Sequence, residues 1–174
     1  MKLLAFAASS SSTSINKQLA SYAASLVTDA DIEILDLNDF EMPMFSEDKE
    51  RELGQPEQAK NFFAKLGQAD AIIISFAEHN GTYTAAYKNI FDWTSRIEQK
   101  VFQNKPMVLL ATSPGPGGAA SVLTAARVSA PYFSGDVKAT LSIPSFYDNF
   151  DSDNKVLSNK ELDQALKAAV AVIS

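Results

Sequence analysis

The sequence contains no cysteine and a single histidine, His79, among its 174 residues. The lack of cysteine excludes disulfides, thiolate nucleophiles and cysteine-ligated metals, and one histidine argues against a structural zinc site. Lysine and arginine form no run, and the net charge of −6 argues against nucleic-acid binding, which needs clustered cations. No apolar run approaches the ~20 residues of a membrane-spanning helix. These absences favour a soluble, cytoplasmic protein without metal, nucleic-acid or membrane partners.

Short apolar segments alternate with segments of helical periodicity along the whole chain. Five strands are predicted, at Leu3–Ala8, Asp31–Leu37, Ala69–Ala77, Pro106–Thr112 and Asp136–Ser142, of which the second alternates and the first, third and fourth are continuous apolar runs typical of buried strands. Five helices are predicted between and after them, at 15–26, Pro56–Gly67, Thr84–Gln99, 119–132 and Lys160–Ile173. The segment Asn38–Gly54 shows no period and is predicted to be irregular. Strict alternation predicts one α/β domain over residues 1–174, a five-stranded parallel sheet with helices on both faces.

Three loops of unusual composition follow the first, third and fourth predicted strands. Ligands of such sheets bind beyond the carboxyl ends of the strands, where these loops converge. The first loop, Ser9–Asn16, places six hydroxyls before a helix N-terminus, whose free N–H groups and dipole favour an anion such as phosphate. It contains neither G-x-G-x-x-G nor the Gly-Lys-Ser/Thr of a P-loop. A serine-rich helix cap without a ligand is the alternative.

The other two loops are the middle loop, Glu78–Tyr83, and the third loop, Ser113–Gly118. Three of the chain's seven glycines lie in the third loop. Glycine lets the backbone approach a flat ligand closely, although an ordinary tight βα turn is an alternative. The middle loop is followed by the run Lys88-Asn89-Ile90-Phe91-Asp92-Trp93, at a spacing that puts several of these side chains near one face of a helix.

These residues resemble the NAD(P)H-dependent FMN reductase family, which includes chromate, quinone and azo-dye reductases. The family pattern P-E-Y-N-x-S-x-P-x-x-L-K-N-x-x-D-W is matched by Glu78, Asn80, Tyr83, Lys88, Asn89, Asp92 and Trp93. Its G-S-x-R-x-x-S-x-N and S-P-G-x-x-G-G loops are matched by Ser9, Ser14, Asn16, Ser113, Pro114, Gly115, Gly117 and Gly118. The first-loop glycine and arginine of the family are replaced here by Ala8 and Ser11. Because the arginine is a cation, its loss predicts weaker FMN binding.

The resemblance implies a flavodoxin-like three-layer sandwich with strand order 2-1-3-4-5. It also implies FMN as cofactor, NADPH or NADH as reductant, and hydride transfer through flavin N5 to a small acceptor (flavin, quinone, chromate or azo compound). No protein side chain is expected to act as acid, base or nucleophile. The alternative is a flavodoxin-like scaffold that has lost flavin binding and binds a partner protein.

The residues expected to bind the cofactor lie in all three loops. They are Ser9, Ser11, Ser14, Ile15, Asn16, Glu78, His79, Asn80, Gly81, Thr82, Tyr83, Ser113, Gly115, Gly117 and Gly118. The resemblance further implies a homodimer or homotetramer. The helix that carries Asp92 and Trp93 is the candidate interface.

Overall fold

Five strands form a parallel sheet in the computed structural model, which describes residues 1–173. They are β1 (Lys2–Ala8), β2 (Asp31–Leu35), β3 (Ala71–Phe76), β4 (Pro106–Thr112) and β5 (Asp136–Ile143). Their order in the sheet is β2-β1-β3-β4-β5, and every pairing is parallel. The predicted 2-1-3-4-5 order is therefore confirmed.

Helices cover both faces of this sheet. They are α1 (Ile15–Ser25), α2 (Glu47–Leu53), α3 (Glu57–Gln68), α4 (Ala85–Ser95), α5 (Ala120–Ser129), α6 (Phe146–Asn149) and α7 (Lys160–Val170). One apolar core joins the sheet to α3, α4 and α5, and a second joins its other face to α1 and α7. No helix within residues 1–173 is both long enough and apolar enough to cross a membrane.

The two cores follow from the alternation of side chains along the strands. On β1, Leu4 and Phe6 belong to the core beneath α3–α5, whereas Leu3 and Ala5 belong to the core beneath α1 and α7. Neighbouring side chains on a strand point to opposite faces. A central strand between two helical layers must therefore be apolar at every position, which explains the continuous apolar runs in the sequence.

The prediction of an irregular segment at Asn38–Gly54 is wrong in part, because the segment contains α2. Every residue of α2 is at least partly exposed, so this helix has no apolar stripe that a periodicity analysis could detect. The second strand also ends at Leu35 rather than Leu37, where a 3₁₀ turn, Leu37–Phe40, begins. The helices predicted to reach Gln99 and residue 132 end earlier, at Ser95 and Ser129.

Two short hairpins lie outside the main sheet. Glu78–His79 pairs antiparallel with Thr82–Tyr83, so part of the middle loop is a hairpin and not irregular. Its turn residues, Asn80 and Gly81, have φ values of 53° and 79°, as expected for the Asn-Gly turns that close two-residue hairpins. The second hairpin, Phe150–Asp151 with Val156–Leu157, lies between β5 and α7, where the sequence predicts no element.

Candidate functional site

A cavity of about 290 Å³, hereafter the strand-end cavity, lies at the carboxyl ends of β1, β3 and β4. All three loops identified in the sequence contribute to its wall. Eight predicted cofactor-binding residues line it: Ser9, Ser11, Ser14, Ile15, Asn16, Glu78, His79 and Ser113. The other seven, Asn80, Gly81, Thr82, Tyr83, Gly115, Gly117 and Gly118, lie outside its lining. Thr13, Ala77, Thr112, Pro114 and Tyr147 also line it and are not among the predicted residues.

The first loop is a helix cap with unused donors. Ser14 is the N-cap of α1, and its hydroxyl accepts the N–H of Lys17 at 3.2 Å. The Ser14 N–H donates to the carbonyl of Ser11 at 3.2 Å. Within residues 1–173, the N–H groups of Ile15 and Asn16, in the first turn of α1, have no protein acceptor. These donors and the positive end of the helix dipole favour an anion here.

The side chain of Asn16 serves the fold. It is 2% exposed, and its Oδ1 accepts the Ser75 hydroxyl at 2.7 Å and the Thr112 N–H at 3.1 Å. Its Nδ2 donates to the carbonyl of Thr112 at 3.1 Å. The amide therefore joins α1 to the ends of β3 and β4, directly behind the strand-end cavity. The side-chain amide of Asn16 is therefore engaged within the fold, whereas its backbone N–H has no acceptor within residues 1–173.

The middle-loop hairpin is fixed to α5 at both of its strands. Glu78 accepts the N–H of Val122 through Oε2 at 2.9 Å, and the Tyr83 hydroxyl lies 3.0 Å from the Ser129 hydroxyl. Burial raises the pKa of Tyr83, so its phenol stays neutral at physiological pH. Glu78 and the exposed His79 face the strand-end cavity, whereas Tyr83 lies in an aromatic groove between α4 and α5.

The glycines of the third loop pack against the segment that follows β5. The carbonyl of Gly115 accepts the N–H of Ser145 at 2.9 Å, and that of Ser113 accepts the N–H of Phe146 at 3.0 Å. Gly118 has a φ of 57°, and a Cβ there would clash with the Ser142 hydroxyl oxygen. Gly118 is therefore required by the turn itself, and close approach to a ligand is not needed to explain it.

The run Lys88–Trp93 on α4 holds the chain that precedes α2. Asn89 accepts the Phe45 N–H at 2.8 Å and donates to the carbonyls of Met42 and Pro43. The Trp93 indole N–H donates to the Pro43 carbonyl at 2.7 Å, and Trp93 is fully buried. Trp93 is therefore a core residue and cannot contribute to a subunit interface.

The donors on the cavity wall fit a phosphorylated flavin, although they are neutral. Hydroxyls of the first loop and the free N–H groups of Ile15 and Asn16 can meet phosphate oxygens. Among residues 1–173, no lysine or arginine lines the strand-end cavity, and Glu78 is its one acidic residue. The carboxylate of Glu78 is already bound by the Val122 N–H. The replacement of the family arginine by Ser11 thus leaves a wall without a cation.

A parallel sheet of order 2-1-3-4-5, with a donor-lined cavity where its strands end, defines the flavodoxin-like class of proteins. The chain belongs to the NADPH-dependent FMN reductase family, whose model matches residues 1–148. The predicted family and fold are confirmed. Membership of this family gives the class of activity, a flavin-dependent oxidoreductase, and the cofactors, FMN and NAD(P)H.

Individual relatives agree with this assignment. The chain is 29% identical to an NAD(P)H-dependent FMN reductase of Pseudomonas aeruginosa over 92% of its own length and 86% of the relative's. It is 35% identical to a 2-hydroxy-1,4-benzoquinone reductase of a Burkholderia species, over 62% of this chain but only 57% of that enzyme. The flavoenzyme NAD(P)H:(acceptor) oxidoreductase FerB of Paracoccus denitrificans has the same fold, with a TM-score of 0.78 and 20% identity over 99% of this chain and 94% of FerB.

Proposed function

We propose that this chain is an NAD(P)H-dependent FMN reductase that holds FMN in the strand-end cavity and reduces a small acceptor there. The observation that carries the proposal is the meeting of all three motif-bearing loops around one cavity. The quinone reductase among the relatives supports a quinone as acceptor, beside flavin, chromate or azo compounds. We treat residues 1–174 as one domain, and we place the reaction in the cytoplasm because it consumes NAD(P)H.

The first and middle loops divide the binding of FMN between them in this proposal. The hydroxyls of Ser9 and Ser11 and the N–H groups of Ile15 and Asn16 hold the phosphate, because all four residues line the cavity and the two N–H groups have no acceptor within the described residues. Glu78–His79 and Ser113 border the ring system. The contacts expected of residues 80–83 and of the third-loop glycines require a ligand that extends beyond the cavity lining. When bound, FMN would supply the hydride-carrying chemistry, through its N5, between the nicotinamide and the acceptor.

The protein's own part is to bind, orient and exclude water. The Asn16 amide fixes the start of α1 against β3 and β4, so the phosphate donors are held in place before a ligand arrives. The two links between the hairpin and α5 fix the opposite wall. We assign no side chain the role of acid, base or nucleophile, because hydride transfer between nicotinamide and flavin requires none.

A binding experiment tests this function directly. Purified protein is expected to quench the fluorescence of added FMN and to shift its visible absorbance, and the complex should then oxidise NADH or NADPH with a quinone acceptor. Ala77→Phe should block binding because it fills the cavity, whereas Ala168→Phe, an exposed site on α7, should not. A protein that leaves FMN fluorescence unchanged would favour the scaffold alternative.

We propose in addition that α4 and α5 pair with a second copy of the chain. The groove between them, about 220 Å³, is lined by six aromatic side chains: Phe76, Tyr83, Tyr87, Phe91, Phe102 and Phe133. On α5 and the turn after it, Val128 and Tyr132 are 57% and 75% exposed. Exposed apolar side chains on an element that also borders an apolar groove favour an interaction surface here. Light scattering at micromolar concentration should give a dimer or tetramer that Tyr132→Glu dissociates, and a monomeric wild type would reject the interface.

A further inference from the structure

Tyr147 is an aromatic side chain that lines the strand-end cavity but lies outside the three motif-bearing loops. It lies on the single-turn helix α6 and is 68% exposed. Within residues 1–173 it is the one phenylalanine, tyrosine or tryptophan that lines this cavity. The Tyr147 hydroxyl has no hydrogen-bond partner among residues 1–173. The other lining side chains are small or polar, apart from Ile15 and Pro114.

The backbone beneath Tyr147 is fixed to the flavin loops. The N–H groups of Ser145 and Phe146 donate to carbonyls of the third loop, those of Gly115 and Ser113, at 2.9 and 3.0 Å. Phe146 is fully buried and stacks on Phe150 with ring centroids 4.6 Å apart. The neighbouring Tyr147 ring meets only the edge of Phe146, at 5.6 Å between centroids. Tyr147 is thus an exposed ring on a rigid base, with most of its surface open to a ligand.

The wall offers one part of FMN few partners, because Ile15 and Pro114 are its only apolar side chains of any size besides Tyr147 within the described residues. The hydroxyl and N–H groups of the wall can donate hydrogen bonds to a phosphate and to the heteroatoms at the edge of the flavin ring. The flat faces of that three-ring system are aromatic and need an apolar or aromatic surface to pack against. We propose that Tyr147 makes the aromatic contact with the ring system of the bound flavin and so sets the affinity for the ring rather than for the phosphate. This inference rests on the proposed function, because it requires a flavin in the strand-end cavity.

Two flavins that differ only in the phosphate test the inference. Dissociation constants for FMN and for riboflavin are measured by fluorescence titration with wild type, Tyr147→Ala and Tyr147→Phe. Tyr147→Ala is expected to weaken both flavins by about tenfold, the equivalent of about 1.4 kcal/mol, whereas Tyr147→Phe keeps the ring and should bind both as wild type does. Because Tyr147 is exposed, the thermal unfolding of the flavin-free variants should match that of wild type.

The outcomes separate this inference from the proposed function. If wild type bound neither flavin, the proposed function would fall and the inference with it. If wild type bound FMN and Tyr147→Ala bound it equally well, only the role of Tyr147 would fall. A loss confined to FMN, with riboflavin unaffected, would place Tyr147 at the phosphate and would also overturn the inference.

Discussion

At the scale of single residues, Ser11 is the position at which the proposed phosphate site differs most from the family pattern. Its side chain lines the strand-end cavity, where no lysine or arginine lies within the described residues. The family arginine at this position would add a charge-assisted hydrogen bond, which contributes about 1.5–3 kcal/mol. The serine supplies a neutral hydroxyl instead, 3.4 Å from that of Thr13.

Restoring the cation is expected to tighten FMN binding. Ser11→Arg should lower the dissociation constant for FMN by about ten- to a hundredfold, because about 1.4 kcal/mol corresponds to one factor of ten. The dissociation constant for riboflavin should not change, since riboflavin carries no phosphate. Both constants are measured by fluorescence titration. Ser12→Arg, one residue along but outside the cavity lining, is the matched control, and an equal gain there would indicate a general charge effect.

The roles of residues are harder to predict from the sequence than their positions. The sequence predicts that Asn16 belongs to the site, and Asn16 lines the cavity. Its side-chain amide, however, donates a hydrogen bond to the carbonyl of Thr112, 96 residues away in the sequence. Gly118 is predicted to admit a ligand, yet the nearby Ser142 explains why glycine is needed there. A motif shows that a residue type is required. The motif does not show which contact requires that residue type, because the contacting neighbours are brought together only in the folded chain.

At the scale of elements, the middle-loop hairpin links the strand-end cavity to α5. Its Asn80-Gly81 turn is a recognisable hairpin signal in the sequence, although the segment is predicted above as a loop. Conversely, the predicted bounds of β4, Pro106–Thr112, are those that the structure shows, because a fully apolar run between turn signals is distinctive. Helix α2 escapes prediction because it has no buried face.

The hairpin turn depends on the freedom of glycine at residue 81. Gly81 has a φ of 79°, and a Cβ at this position would meet no atom within 4 Å, so a substitution there costs backbone strain alone. Gly81→Ala should lower the free energy of unfolding by about 1 kcal/mol, measured by urea denaturation. Asn80→Gly, at the neighbouring position with a φ of 53°, should be tolerated. An unchanged stability for Gly81→Ala would contradict this account of the turn.

The hydrogen bond between Tyr22 of α1 and Asp163 of α7 is expected to make stability depend on pH. The Tyr22 hydroxyl donates to Asp163 at 2.5 Å, and burial together with this carboxylate raises the pKa of Tyr22 to about 12. The folded-state pKa lies above the unfolded value of about 10, so the contribution to stability is complete below about pH 10 and is lost as the pH rises toward 12.

Replacing Tyr22 by phenylalanine should remove this alkaline dependence. The free-energy difference between wild type and Tyr22→Phe is expected to be less than about 1 kcal/mol at neutral pH, because the pair is partly exposed and screened. That difference should shrink between about pH 10 and pH 12. Urea denaturation across this range measures it, with Tyr132→Phe as a control at an exposed tyrosine. A constant difference would show that the hydroxyl does not titrate as described.

At the scale of the whole molecule, ligand binding and folding are linked. A ligand that binds only the folded chain at a hundred times its dissociation constant stabilises it by about 2.7 kcal/mol. For a chain of this length, FMN at that concentration should raise the unfolding temperature by about 5 to 10 °C. Thermal unfolding followed by circular dichroism measures the shift. Ala77→Phe should show none, and an equal shift in that variant would place the flavin elsewhere.

The global arrangement can be predicted further than its details. Alternating strands and helices predict the sheet, and the topology places three loops at one edge, where the cavity lies. The segment between β5 and α7 shows no period, so neither α6 nor its contacts with the third loop can be predicted. Tyr147 reaches the cavity through those contacts. Its position depends on the packing of distant segments and leaves no local pattern in the sequence.

The cation-free wall also affects the rate at which a flavin arrives. With a net charge of −6 and no lysine or arginine in the described lining of the cavity, the protein repels a phosphate dianion over distances comparable to the Debye length, about 10 Å at 0.1 M ionic strength. Added salt screens that repulsion while leaving the short-range hydrogen bonds intact. Association should therefore accelerate with ionic strength, the reverse of the behaviour of electrostatically steered phosphate-binding proteins.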